Sequence, residues 1–215
     1  MLTRIRQELS EVVPLALLVG VSLGTGLTQL LVRPLGQSSD LSLGAVLIAT
    51  LQIFGPVGVN LLWVSRAAPL RVGLEAQRRW HRLLEAQDTC PVAADPFPWR
   101  ELIAAAATAV LLLPYFEGAI LAAAVVATPR VDPLGQLSEL LSQLHPGDLL
   151  QTVLRTALFA LAAEALCLRK AAQLRQSLEQ VPRLIADAIP ECFLAVILLE
   201  ALWTALIDPL HTSLR

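Results

Sequence analysis

The chain has 215 residues, of which 55% are apolar and only 16% are charged, and its mean hydropathy is +0.64. Soluble domains carry about 25% charged residues, so this composition excludes an ordinary soluble protein and predicts a polytopic membrane protein. The formal net charge of −2 gives no reason to expect a nucleic-acid partner.

The N-terminal segment, residues 1–12, is charged and has Leu2, Ile5 and Leu9 at helical spacing. This pattern predicts an amphipathic helix on the membrane surface, with a disordered tail as the alternative. The apolar run that follows is too long for a signal peptide and lacks a small-residue cleavage site. We therefore predict a retained first span over Val13–Val32.

Small residues mark the first two predicted spans as helix-packing surfaces. Gly20 and Gly24 form a Gly-x-x-x-Gly strip in the first span, where another helix can approach closely. The second span is predicted over Leu41–Val64, with Gly55-Pro56 near its middle as a kink.

The segment 65–101 is predicted to be a polar loop that contains six arginines. Within it, Leu74–Gln87 has the period of an amphipathic helix and is too polar to cross a bilayer. We expect this helix to lie at the cytoplasmic membrane surface or to dock on a partner. Its candidate docking residues are Leu74, Glu75, Arg78, Arg79, Trp80, Arg82 and Leu83.

The remaining apolar windows predict three further spans, over Leu102–Ala127, Asp148–Leu168 and Leu184–Ile207. A polar loop at 128–147, with a short surface helix over 134–144, and a basic loop at 169–183 separate them. The predicted fold is all-α, with about five transmembrane helices, an N-terminal interfacial helix and a cytoplasmic amphipathic helix. The whole chain, 1–215, is predicted to be one domain, with a bundle at 13–207 and a tail at 208–215.

The distribution of Lys and Arg predicts the orientation of the chain. The N-terminus and the two basic loops hold 12 of these residues, the opposite side holds 3, and Arg155 lies inside a span. Because positive residues accumulate on the cytoplasmic side, the N-terminus is predicted to be cytoplasmic and the C-terminus outside.

Polar groups within the spans are candidates for a lipid path or a subunit contact, because they rarely face lipid. They are Asn60, Glu117, Arg155, Glu164, Glu191 and Glu200. Arg155 and Glu200 fall at matched depth on consecutive spans, which predicts an ion pair; a purely structural pair is the alternative. Glu164 and Glu191 fall together without an evident cation, which allows one of them to be protonated.

The sequence contains no constellation typical of an enzyme. It lacks a phosphate-binding Gly-x-x-x-x-Gly-Lys-Ser/Thr loop and a His-Glu-x-x-His zinc motif, and its three histidines are far apart. Cys90, Cys167 and Cys192 form no Cys-x-x-Cys pair, which favours buried thiols over a disulfide or metal site. We expect no catalytic residue, no metal and no cofactor. Five spans are few for a secondary transporter, so a transport role requires further subunits.

Four stretches carry a resemblance to a known family. They are LLVGVSLGTGLTQ at 17–29, FGPVGVNLLWVSR at 54–66, LRTALFALA at 154–162 and VPRLIADAIPECFLAVILLEALWTALI at 181–207. In this order and spacing they resemble the MlaE/YrbE-type permeases of MCE lipid-transport ABC systems. Arg66, Arg155, Glu200 and Thr204 fall where that family usually has an arginine, a basic residue, an acidic residue and a threonine.

The resemblance implies a transmembrane permease subunit of an ABC-type phospholipid transporter, which is not itself an enzyme because ATP hydrolysis takes place in a partner subunit. Two permease subunits would hold the lipid in a cavity between them, an ATPase subunit would bind below, and an MCE-domain protein would lie outside. Leu74–Gln87 would be the coupling helix, and the location implied is a bacterial inner (plasma) membrane.

Two departures from the family pattern support a second interpretation. Ile53 stands where the family usually has an acidic residue, and the Glu-x-Gly-Thr-Met stretch before the coupling helix is missing. The alternative is therefore a degenerate MlaE-like membrane subunit with a structural or assembly role and no ATP-coupled transport.

Overall fold

The computed structural model describes residues 2–35, 49–88, 98–127, 146–174 and 178–206, together with Gly135, Ser138 and Ser142. Five long helices account for nearly all of these residues: α1 Leu2–Leu35, α2 Gly55–Asp88, α3 Trp99–Ala127, α4 Pro146–Ala171 and α5 Val181–Leu206. A π-helical turn, Thr50–Phe54, precedes α2, and a 3-10 turn, Leu178–Gln180, precedes α5. The described ranges contain no strand, which confirms the all-α prediction.

Three helices of the described part are long and apolar enough to cross a membrane: Glu8–Leu30, Trp99–Ala127 and Pro146–Ala171. The protein is therefore an integral membrane protein. The other two predicted spans correspond to α5 and to α2 with its preceding turn, and their membrane crossing stays a prediction. Residues 41–48 of the second span and most of the predicted surface helix at 134–144 lie outside the described residues.

The first helix corrects one predicted boundary. α1 continues without a break through residues 12 and 13, so the predicted interfacial helix and the first span are one element. Val12 and Ala16, four residues apart, are both buried. The same packing face thus extends across the expected boundary, and this explains why the helix does not end there.

The second helix corrects the largest predicted loop. α2 runs for 34 residues, from Gly55 to Asp88, through a segment that we predicted to be a loop from residue 65. Its buried positions keep helical spacing throughout: Trp63, Val64, Ala67, Ala68, Arg71, Val72 and Ala76. Because this buried stripe is continuous, tertiary packing outweighs the helix-breaking tendency of Pro69.

Gly55-Pro56 marks a change of helix type, from the π-helical turn Thr50–Phe54 to the α-helix α2, and the predicted kink at this point stays a prediction. The N–H of Gly55 donates to the carbonyl of Thr50, five residues back, and the α-helical pattern begins at Gly55. Proline has no N–H to donate, so it fits the first turn of a helix with little loss.

The bundle is arranged around α3 and α4. α1 packs along α3, while α2 packs against α4 and α5, and α4 also contacts α3 and α5. One apolar core, around Phe116 and Leu112, joins α1, α2, α3 and α4. A second core, around Trp63 and Cys192, joins α2, α3, α4 and α5.

The glycine strip of α1 is the place where α1 and α3 approach most closely. A Cβ atom at Gly20 would lie 2.8 Å from the Ala119 Cβ and 2.9 Å from the Phe116 carbonyl. At Gly24 it would overlap the backbone carbonyl of Ile120. The strip therefore packs within the chain rather than against a second subunit.

We expect Gly24→Ala to destabilise the protein by about 1–3 kcal/mol, because a backbone carbonyl cannot move aside as a flexible side chain can. Thermal unfolding of the detergent-purified protein, followed by tryptophan fluorescence, measures the effect. Gly26→Ala is the matched control, since a Cβ there meets nothing within 4 Å. Equal unfolding temperatures for the two variants would contradict this packing.

Candidate functional site

Four of the six polar candidates within the spans are buried in the bundle, whereas Glu200 is partly buried and Glu191 is exposed. Asn60, Arg155 and Glu164 are at most 2% exposed, and Glu117 is 8% exposed. Such burial in a membrane protein is tolerated where the groups find partners. Most of them do so through contacts between helices.

Arg155 of α4 and Glu200 of α5 form the predicted pair. The Arg155 Nε donates to Glu200 Oε2 at 2.8 Å, and Nη2 donates to the other carboxylate oxygen. The Trp203 ring lies beneath the guanidinium, 5.7 Å from Cζ to the ring centroid. Glu200 and Trp203 are three residues apart and so share one face of α5. Sequence reasoning found the carboxylate but missed the ring, although this spacing was available as a signal.

Arg71 was missed altogether, because it fell within the predicted loop. It lies on α2, 4% exposed, with its Nη2 3.0 Å from Glu8 Oε1 and its Nη1 3.6 Å from Glu164 Oε1. One arginine thus connects α1, α2 and α4. The buried stripe of α2 could have revealed it, since Arg71 follows Ala67 and Ala68 at helical spacing.

The expectation that Glu164 and Glu191 share a site without a cation is wrong. Arg71 is the ion-pair partner of Glu164, and Lys170 pairs with Glu191, which is itself about half exposed. Both cations come from segments that we had placed in loops. With positive partners present, neither carboxylate has to be neutral on geometric grounds.

Asn60 fixes α2 to α4. Its Nδ2 donates to the carbonyl of Pro56 at 2.8 Å, within α2, and to the carbonyl of Thr156 at 3.2 Å, on α4. Its Oδ1 has no hydrogen-bond partner in the described part of the chain. The predicted need for a partner inside the bundle is met by a neighbouring backbone.

Glu117 lies on α3 and faces the start of α2. A Cβ atom at Gly55 would overlap its Oε1, and this oxygen has no hydrogen-bond partner among the described residues. Ile53 stands where the MlaE-type pattern usually has an acidic residue. A carboxylate nevertheless lies beside Gly55-Pro56, and it belongs to Glu117 of α3. The side chain of Ile53 is exposed.

The predicted coupling segment Leu74–Gln87 is the second half of α2 rather than a separate helix. Glu75 forms ion pairs within the helix with Arg78 and Arg82, both at 3.5 Å. Arg79 Nη1 donates to the carbonyl of Ala172, just after α4, at 2.5 Å. Leu74 is exposed and Trp80 is half-buried, while for Leu83 only the helical backbone is described.

A cleft of about 700 Å³ lies between this half of α2, the start of α3 and the end of α4. A second, apolar groove of about 460 Å³ lies between α4 and α5 and is bordered by Ala162, Leu166, Leu198 and Leu202. Four of the ten residues that line the first cleft are arginines, and two are glutamates. The two concave surfaces thus differ in the chemistry that they offer to a ligand.

A protein-family model described as Permease MlaE matches residues 99–206, which span α3, α4 and α5. The chain belongs to the MlaE permease family. The matched range includes Glu117, Arg155 and Glu200, whereas α1 and α2 lie outside it. A search of the curated proteins finds no match. As an MlaE-type permease, the chain is a membrane transport subunit that works with other subunits.

We expect the Arg155–Glu200 pair to show non-additive substitution effects. Removing either partner leaves the other charge in the bundle and costs about 3–5 kcal/mol, whereas removing both costs less than the sum. The unfolding temperatures of Arg155→Ala, Glu200→Ala and the double variant form the test. Simply additive effects would show that the two side chains do not stabilise each other.

We expect Arg71→Met to be far more destabilising than Lys170→Met. Arg71 is buried between two carboxylates, while Lys170 pairs with a half-exposed one, and exposed pairs contribute about 0–1 kcal/mol. Combining Arg71→Met with Glu164→Gln should recover part of the lost stability, because the buried charge is then removed. Similar losses for Arg71→Met and Lys170→Met, measured by thermal unfolding, would disprove this ranking.

Proposed function

We propose that this single-domain chain is the permease subunit of an ABC-type phospholipid transporter in a bacterial inner membrane. A second permease subunit completes the lipid cavity, a separate ATPase drives transport, and an MCE-domain protein delivers or receives the lipid. The observation that carries this proposal is the match of α3, α4 and α5 to the MlaE permease family.

Apolar surfaces on α5 support a cavity shared by two subunits. Four large apolar side chains of α5 are exposed: Leu194, Ile197, Leu198 and Leu202. Leu198 and Leu202 also border the groove between α4 and α5. A surface of this kind suits acyl chains or a second permease subunit. The exposed side chains of α1, Leu17, Leu18 and Val21, supply a further apolar surface.

The continuous helix α2 supports a direct mechanical connection to the ATPase. Its Arg-rich half carries the exposed side chains that an ATPase would contact, and its other half carries Asn60, bonded to α4. Movement of one half therefore moves the other without an intervening hinge. Nucleotide binding elsewhere would shift the bundle between two arrangements by displacing α2.

The proposed orientation places the Arg-rich half of α2 in the cytoplasm. Contacts of Arg71 with Glu8 and of Arg79 with Ala172 gather the start of α1, the second half of α2 and the end of α4 at one end of the bundle. This end holds most of the lysines and arginines. The positive-inside tendency then places the N-terminus in the cytoplasm and the C-terminus outside.

One observation favours the alternative of a structural subunit without ATP coupling. The family match begins at residue 99, so the coupling segment at 74–87 lies outside it. Divergence limited to this segment would preserve the bundle while removing the contact with an ATPase.

The identity of co-purifying proteins separates the two functions. We expect the tagged protein, extracted in mild detergent, to carry an ATPase subunit, an MCE-domain protein and phospholipid, each identified by mass spectrometry. Leu74→Asp should remove most of the ATPase, because it places a charge on an exposed apolar contact of α2. Gln173→Asp, exposed after the end of α4, is the control and should retain the ATPase. A stable complex without any ATPase would support the structural role instead.

A further inference from the structure

The cleft at the Arg-rich end of the bundle has an excess of positive charge. Four arginines line it together with two glutamates: Arg78, Arg79, Arg82, Arg100, Glu75 and Glu101. The formal charge of these six side chains is +2. This excess favours an anionic ligand.

The ion pairs between the charged side chains of the cleft are long. Glu75 lies 3.5 Å from Arg78 and from Arg82, and Glu101 lies 3.9 Å from Arg78. Charge-assisted hydrogen bonds are usually about 2.7–2.9 Å long, so these contacts are loose.

Two of the four arginines have no carboxylate partner in the described part of the chain. Arg79 donates a hydrogen bond to the carbonyl oxygen of Ala172, and the exposed Arg100 has no polar contact among the described residues. A guanidinium has five N–H donors in a fixed planar arrangement, and that arrangement matches two oxygens of a phosphate.

The cleft lies at the level where a membrane's headgroups are expected. Trp99, 64% exposed at its edge, is the first residue of the Trp99–Ala127 candidate span. Leu168, near the end of the Pro146–Ala171 candidate span, contributes to the opposite wall. Tryptophan is enriched at membrane interfaces, where an apolar ring meets polar headgroups.

Polar and apolar walls therefore meet in one cleft of suitable size. Its arginines suit a phosphate, and Pro98, Trp99 and Leu168 suit the glycerol and first methylene groups that follow a phosphate in a lipid. A volume of about 700 Å³ is within the range of small-molecule sites, roughly 300–1,000 Å³.

We propose that this cleft binds the phosphate headgroup of an anionic phospholipid from the adjoining membrane leaflet. The site is separate from the proposed cavity between two permease subunits, and it depends neither on ATP coupling nor on the direction of transport. A lipid held there would contact the second half of α2, the start of α3 and the end of α4.

Binding of phosphatidylglycerol to the purified, delipidated protein tests the proposal, with phosphatidylcholine as the neutral comparison. Native mass spectrometry of lipid adducts and thermal stabilisation by added lipid give two independent readouts. We expect Arg100→Gln to weaken phosphatidylglycerol binding about fivefold and Arg79→Gln/Arg100→Gln about 25-fold, since each surface arginine contributes a similar factor. Arg100→Gln breaks no polar contact in the described structure, so its effect does not depend on altered folding.

The double variant Arg66→Gln/Arg183→Gln is the matched control, because it removes the same charge from exposed positions outside the cleft. We expect it to bind phosphatidylglycerol like the unmodified protein. Equal loss in the control and cleft variants would overturn the proposal, as would equal binding of the two lipids. Loss of a co-purifying ATPase in Arg79→Gln/Arg100→Gln with unchanged lipid binding would also overturn it, and would make the cleft a protein-docking surface.

Discussion

The bundle depends on the pairing of its buried charges. Arg71 and Arg155 lie inside the protein, and each would be strongly unfavourable without a carboxylate at hand. Arg155 joins α4 to α5 through Glu200, and Arg71 joins α2 to α1 and α4 through Glu8 and Glu164. Because each pair requires particular helices to be neighbours, the pairs specify the packing as well as stabilising it.

The second constraint is the uninterrupted packing of α2. Its buried stripe runs from Val59 to Ala76, and the first half and the Arg-rich half of α2 form one continuous helix. The two halves contact different partners: the first reaches Thr156 through Asn60, and the second reaches Ala172 through Arg79. In the proposed transporter, α2 would connect an ATPase to the lipid cavity, and a continuous helix suits that role because it has no flexible joint.

Sequence reasoning succeeded where the pattern of a single helix carries the information. The all-α class and the approach of Arg155 to Glu200 follow from apolar length and from depth. So do the predicted spans Val13–Val32, Leu102–Ala127 and Asp148–Leu168, each of which overlaps a helix that is long and apolar enough to cross a membrane. It failed where tertiary contacts decide. Arg71, Pro69 and Gly73 indicate a loop by composition, yet the helix continues because its other face packs against α4 and α5. The partners of Glu164 and Glu191 were missed for the same reason, because Arg71 and Lys170 fell within the predicted loops at 65–101 and 169–183.

The central claim is that this chain, an MlaE-family permease, moves phospholipid with energy from a partner ATPase. The most direct measurement is the transfer of a fluorescent phospholipid in proteoliposomes that contain the chain with its co-purified subunits, with and without ATP. The account predicts transfer that requires both ATP and this chain. ATP hydrolysis without transfer, or transfer that is unchanged when this chain is omitted, would contradict it.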